Sequence, residues 1–76
     1  MNTWWVRDGK HVYQLVVARR FNPTWVGRSV LGELYRHHKG WRVVPWYTEG
    51  RGVNLPDMPL KEAKRIAQFL ILGGRQ

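Results

Sequence analysis

The chain contains no cysteine. It can build neither a disulfide framework nor a thiolate metal site. Acidic residues are scarce too. Five Asp plus Glu stand against 13 Lys plus Arg, for a formal charge of +8 and a pI near 10.9. No apolar run approaches the roughly 18–20 residues that a bilayer span needs. The stretch Met1-Asn2-Thr3-Trp4-Trp5-Val6-Arg7-Asp8 lacks the basic-then-apolar pattern of a secretory signal. These absences predict a cytoplasmic protein in a bacterial or host cell, without membrane association. The length of 76 residues predicts one domain. A chain this short buries only about 60% of its unfolded surface, so a deep catalytic cleft is not expected.

Catalytic patterns are missing as well. The acids Asp8, Glu33, Glu49, Asp57 and Glu62 show no spacing that predicts a shared site, and Thr3, Thr24, Ser29 and Thr48 have no supporting base. No glycine-rich phosphate loop precedes a helix. Adjacent His37 and His38 point to opposite sides of an extended chain, and no third ligand accompanies them. The expectation is a protein with no enzymatic activity, no cofactor and no metal.

What the chain does have is aromatic and basic residues. Five of its 76 residues are Trp. Each buried Trp removes on the order of 150–250 Å² from water, which helps so short a chain fold without disulfides. A domain of this size does not easily bury all five. Of Trp4 and Trp5, neighbours on a strand, one points in and one out. Of Trp25, Trp41 and Trp46, one is expected at the surface.

The pattern along the chain reads β-β-β-β-α. Thr3 to Arg7 is β-prone, Asp8-Gly9 is a hairpin signal, and His11 to Ala18 returns. Asn22-Pro23 breaks the pattern. A second hairpin spans 25–47, with Gly27 and Gly32 as bulge sites, His37-His38-Lys39-Gly40 as the turn and Gly40 supplying positive φ. Pro45 cannot donate to a ladder and marks an edge or a bulge. Residues 49–56 read as a loop. A helix over 58–72 follows, with Asp57 as N-cap, Pro59 in the first turn and Gly73-Gly74 as stop. Leu60, Ala63, Ala67, Leu70 and Ile71 form its apolar stripe, while Lys61, Lys64, Arg65 and Gln68 face away. The expected fold is a single α+β domain over 1–76: a small antiparallel sheet of three to four strands, with one C-terminal helix packed on it.

The charge points to a partner. Arg19, Arg20, Arg28, Arg36, His38, Lys39, Arg42 and Arg51 all fall in the strands or their loops, interleaved with aromatics such as Trp41. Phosphate backbones select such cations, and bases or sugars select the aromatics. Lys61, Lys64 and Arg65 form a secondary candidate surface on the helix.

The stretch from Gly32 to Val44, reading as strand, turn, Gly40-Trp41-Arg42 and strand, resembles the arm-site DNA-binding module of phage-type tyrosine integrases. In that module a three-stranded sheet precedes a helix whose start reads like Leu60-Lys61-Glu62-Ala63. The plant GCC-box-binding domain has a related layout. The resemblance covers residues 25–72 and implies a sheet set into the major groove, with Arg28, Arg36, Trp41 and Arg42 in contact. The hairpin over 3–18 is additional, and these 76 residues are not expected to include a recombinase domain. A short, basic, Trp-rich chain also resembles bacteriophage accessory proteins that bind DNA or inhibit a host enzyme.

The leading expectation is therefore a nucleic-acid-binding protein with duplex DNA as first choice, and single strands or RNA as a further option. The alternative is a protein-interaction module that binds an acidic surface and inhibits or adapts a larger enzyme. Arg and Trp serve either role. DNA binding through the sheet requires Arg19, Arg28, Arg36 and Arg42 to share one surface. The Pro45-Trp46-Tyr47 edge and the Phe69-Ile71-Leu72 end are candidate homodimer contacts.

Overall fold

The computed structural model describes residues 3–22 and 25–73, with side chains described outside 19–26. Five strands form one antiparallel sheet in the order β1-β2-β3-β4-β5. They are β1 (Thr3–Arg7), β2 (Val12–Asn22), β3 (Trp25–His37), β4 (Gly40–Pro45) and β5 (Val53–Leu55). A 3-10 turn, Trp46–Thr48, follows β4, and helix α1 (Leu60–Gly73) closes the chain. The α+β class is as expected, but the strand count is five rather than three to four. The additional strand is β5, inside the stretch read as a loop. No helix among the described residues is long and apolar enough to cross a membrane.

Helix α1 lies against one face of the sheet, over β3 and β4. Small residues allow the close approach. Ala63, Ala67 and Ile71 are fully buried, and Ile71 sits directly over Gly32. Sheet residues Leu15, Val17, Leu31, Leu34, Trp41 and Val43 complete this core, with Trp5, Tyr13, Leu55, Met58, Leu60, Leu70 and Leu72 packed around it. β4 shows the alternation most clearly: Trp41, Val43 and Pro45 are buried, while Gly40, Arg42 and Val44 are half-exposed.

The register carries that alternation across the sheet. Leu34 pairs with Tyr13 and Val43, and Arg36 pairs with Trp41, so these residues share the helix side. Val6, Gln14, Glu33 and Val44 form a row on the opposite, open face. The pairing shifts between Leu15 and Val16, where Gly32 and then Val30 stand opposite. Leu31 is the extra residue, beside Gly32 as the glycine signal suggests. Beyond this bulge Val17 stays on the helix side, while Val16 and Val30 face the open side. The second shift falls between Arg20 and Asn22, whereas Gly27 stays in regular register with Arg19.

Two turn expectations change. His38 and Lys39 are the central residues of the β3–β4 turn, and it is His38 that takes positive φ, at 54°. Gly40 is required for another reason. A Cβ there would collide with the carbonyl of Leu55, so glycine lets β5 lie against β4. Asp57 lies two residues before Pro59 and does not cap the helix. Its carboxylate meets Arg36 instead. The carbonyl of Pro59 accepts the amides of Glu62 and Ala63. Pro45 lies past the reach of β5, which pairs only with Trp41 to Val43, so its missing N–H costs no ladder bond on that side.

Candidate nucleic-acid interface

β2 and β3 are the longest strands, at 11 and 13 residues. β1 covers β2 only as far as Val17, and β4 covers β3 only from Gly32. Among the described residues, past those limits β2 and β3 pair only with each other: Ala18 with Arg28, Arg19 with Gly27, Arg20 with Val26, and Asn22 with Trp25. The result is a two-stranded ribbon that leaves the sheet. Five residues at the strand rise of about 3.3 Å give it a length of roughly 15 Å. The molecule measures 45 Å along its longest axis and 28 and 20 Å across the other two.

The ribbon holds Arg19, Arg20 and Arg28, and no acidic residue occurs between Asp8 and Glu33. Arg28 is exposed. The side chains of Arg19, Arg20 and Trp25, and the Pro23-Thr24 turn, lie outside the described residues. A strand read as ending at Ala18 thus runs four residues further.

The remaining candidate cations are dispersed. Arg42 is on the open face, half-buried, and its Nη1 donates to Asn54 Oδ1 at 2.7 Å. Gly52 makes room for it, since a Cβ there would lie 2.8 Å from Arg42 Nε. Arg36 is on the helix side. Its guanidinium stacks 4.8 Å over the Trp41 ring and pairs with Asp57 at 3.0 Å. Trp41 is 5% exposed, and its Nε1 donates to the Met58 carbonyl at 2.9 Å. Its ring and its one polar atom are therefore engaged inside the protein. The four residues implicated by resemblance divide in two: Arg28 and Arg42 on the open side, Arg36 and Trp41 on the other.

His38 and Lys39 are exposed at the tip of the β3–β4 turn, where the His37 and His38 rings stack edge-on at 4.2 Å. The Arg36 amide donates to the His11 carbonyl and brings the β1–β2 turn to the same end. Arg51 is exposed in the loop after the 3-10 turn, its amide donating to Thr48. On α1, Lys61 is exposed, Arg65 lies 3.6 Å from Glu62, and Lys64 reaches back to place its ammonium 4.8 Å over the Tyr13 ring. Lys64 is half-buried, not turned fully outward.

The open face is not uniformly positive. At its centre Gln14 Nε2 donates to Glu33 and to Asp8, both at 3.3 Å. Two carboxylates there oppose a phosphate backbone laid flat across the sheet. Asn54, the partner of Arg42, carries no sequence signal that would single it out. Among the described residues no cluster of three His, Asp or Glu could hold a metal ion.

Four of the five Trp side chains are described, and Trp25 lies outside them. Trp5 packs on the core while Trp4 is 41% exposed, and Trp46 is 52% exposed where Trp41 is buried. No family model, no curated protein and no solved structure matches the chain.

Proposed function

We propose that this protein binds nucleic acid without enzymatic activity, acts in a cytoplasm, and takes duplex DNA through the basic β2–β3 ribbon. The observation that carries this reading is the ribbon itself, which projects past the sheet with three arginines and no acid. A two-stranded ribbon has the width that the major groove admits. The contact surface is then the ribbon rather than the whole sheet. Arg28 sits at its base, and Arg42 is the next cation along the same face. Arg36 stays with Asp57 and braces the turn end of the sheet.

The test is fluorescence anisotropy with a labelled random duplex, a matched single strand and a matched RNA, across a salt series. Three phosphate contacts give a log–log salt slope of about −2.7, hence about a 40-fold loss of affinity for a fourfold rise in salt. Six contacts give about 10³-fold over the same range. Duplex preference with a slope in this span supports the proposal. Absence of binding at low salt refutes it.

One observation favours a second reading, a protein-interaction module. Trp46, Tyr47 and Phe69 are all exposed, and Tyr47 Oη donates to the Leu70 carbonyl at 3.0 Å, joining the 3-10 turn to the end of α1. Exposed aromatics of this kind anchor protein partners. Duplex binding that survives loss of the ribbon arginines, together with a protein partner lost on Phe69→Ser, would favour it.

A further inference from the structure

Over its five-stranded part the sheet has two edges, β1 and β5. Exposed edges pair with other strands unless they are short, charged, bulged or interrupted by proline. β5 is protected on these terms: it has three residues and runs into Pro56, Asp57 and Pro59. β1 is not. Its five residues, Thr3-Trp4-Trp5-Val6-Arg7, pair with β2 in unbroken register and include no proline, glycine or lysine. The one charge, Arg7, is turned back into its own hairpin, where Nε donates to the Gly9 carbonyl at 2.9 Å and Nη2 to the Lys10 carbonyl at 3.1 Å. Among the described residues no segment pairs with the outer edge of β1.

We propose that β1 pairs antiparallel with β1 of a second copy of this chain, joining two sheets across a two-fold axis at Trp5. From Thr3 to Val6 the edge offers ladder hydrogen bonds and uncharged, mostly apolar side chains, so it selects an apolar, β-prone strand. β1 is itself such a strand. Centred on Trp5, the pairing sets Thr3 against the partner's Arg7 and Trp4 against the partner's Val6. No like charges face each other. The helix-side core, reached by the half-buried Trp5, and the open-face row holding Trp4 both continue across the axis. An isologous two-fold contact closes on itself and does not polymerise. The net charge of +8 on each copy opposes association at long range, so dimerisation strengthens as salt rises. That is the reverse of the salt effect on DNA binding, and the two proposals stand or fall separately.

The test is sedimentation equilibrium of the free protein over a concentration series at low and high salt. The expected result is a species of twice the 9.0 kDa chain mass, more populated at high salt and lost in Trp4→Lys. The absence of cysteine supplies a second readout that does not depend on how that variant folds. Directly opposite residues of an antiparallel pair lie about 4.5–5.5 Å apart at Cα, within disulfide range. Trp4→Cys mixed with Val6→Cys should form a mixed disulfide on oxidation, far faster than either variant with itself. A 9.0 kDa monomer at every concentration and salt overturns the proposal. So does a dimer that survives Trp4→Lys and fails to cross-link.

Discussion

Gly32→Ala probes the seat of the helix on the sheet. The φ of Gly32 is not among the positive values, so its backbone accepts alanine without strain. The penalty is purely one of space. A Cβ there would stand 2.7 Å from Ile71 Cδ1 and 2.9 Å from Cγ1, with the Val44 carbonyl at 3.1 Å. Ile71 is fully buried, so its tip has little room to turn. Overpacking of this kind costs about 1–3 kcal/mol. Reduced freedom of the unfolded chain returns about 0.4–1 kcal/mol. The net loss is about 1–2 kcal/mol, which for a domain of this length lowers Tm by about 5–15 °C. Thermal and urea unfolding followed by circular dichroism measure it. Ile71→Val alone should cost about 0.5–1.5 kcal/mol. It removes Cδ1, the atom nearest the new methyl, so the double variant should lose less than the sum of the singles by about 0.5 kcal/mol or more. Gly32→Ala as stable as the native chain, or strictly additive losses, would refute the contact between α1 and β3.

Gly40→Ala meets backbone, not a side-chain tip, and should cost at least as much as Gly32→Ala, with faster amide exchange in β5 as its signature. Trp41→Phe removes the donor to the Met58 carbonyl and should cost about 1–2 kcal/mol in urea unfolding. Asp57→Asn breaks a pair whose side chains are 36% and 68% exposed, so screening limits the loss to about 0.2–1 kcal/mol, and duplex affinity should not fall. Phe69→Ser, at a residue 73% exposed, should change the unfolding free energy by no more than about 0.5 kcal/mol in urea unfolding.

Local signals made the two hairpins and the helix legible. Asp8-Gly9 falls between β1 and β2, the His37–Gly40 turn joins β3 to β4, and Ala63, Ala67 and Ile71 are the buried stripe of α1, which starts at Leu60. β5 was hidden because three residues between glycines and a proline show no period. Its presence depends on Gly40, 15 residues before Leu55, leaving room for that carbonyl. The ribbon was hidden for a related reason. Alternation in a strand records a buried side, and among the described residues β1 pairs with β2 no further than Val17. Arg19-Arg20 therefore looks like a break, although pairing with β3 continues. Arg28 and Arg36 fall on different faces because one extra residue, Leu31, changes the parity between them, while Trp41 and Arg42 are strand neighbours and point to opposite faces. Asp57, which engages Arg36, lies 21 positions later in the sequence and marks itself there only as a helix-start signal.

The most direct test of the account compares duplex affinity across salt for the native chain, Arg19→Ala/Arg20→Ala/Arg28→Ala, and Lys61→Ala/Lys64→Ala/Arg65→Ala. Both triple variants lower the net charge equally, so bulk charge cannot separate them. The account predicts that the ribbon variant loses most of its affinity and that its salt slope shrinks by about 2.7, while the helix variant binds nearly as the native chain does. Equal losses in the two, or a greater loss from the helix variant, would contradict the claim that the β2–β3 ribbon is the binding element.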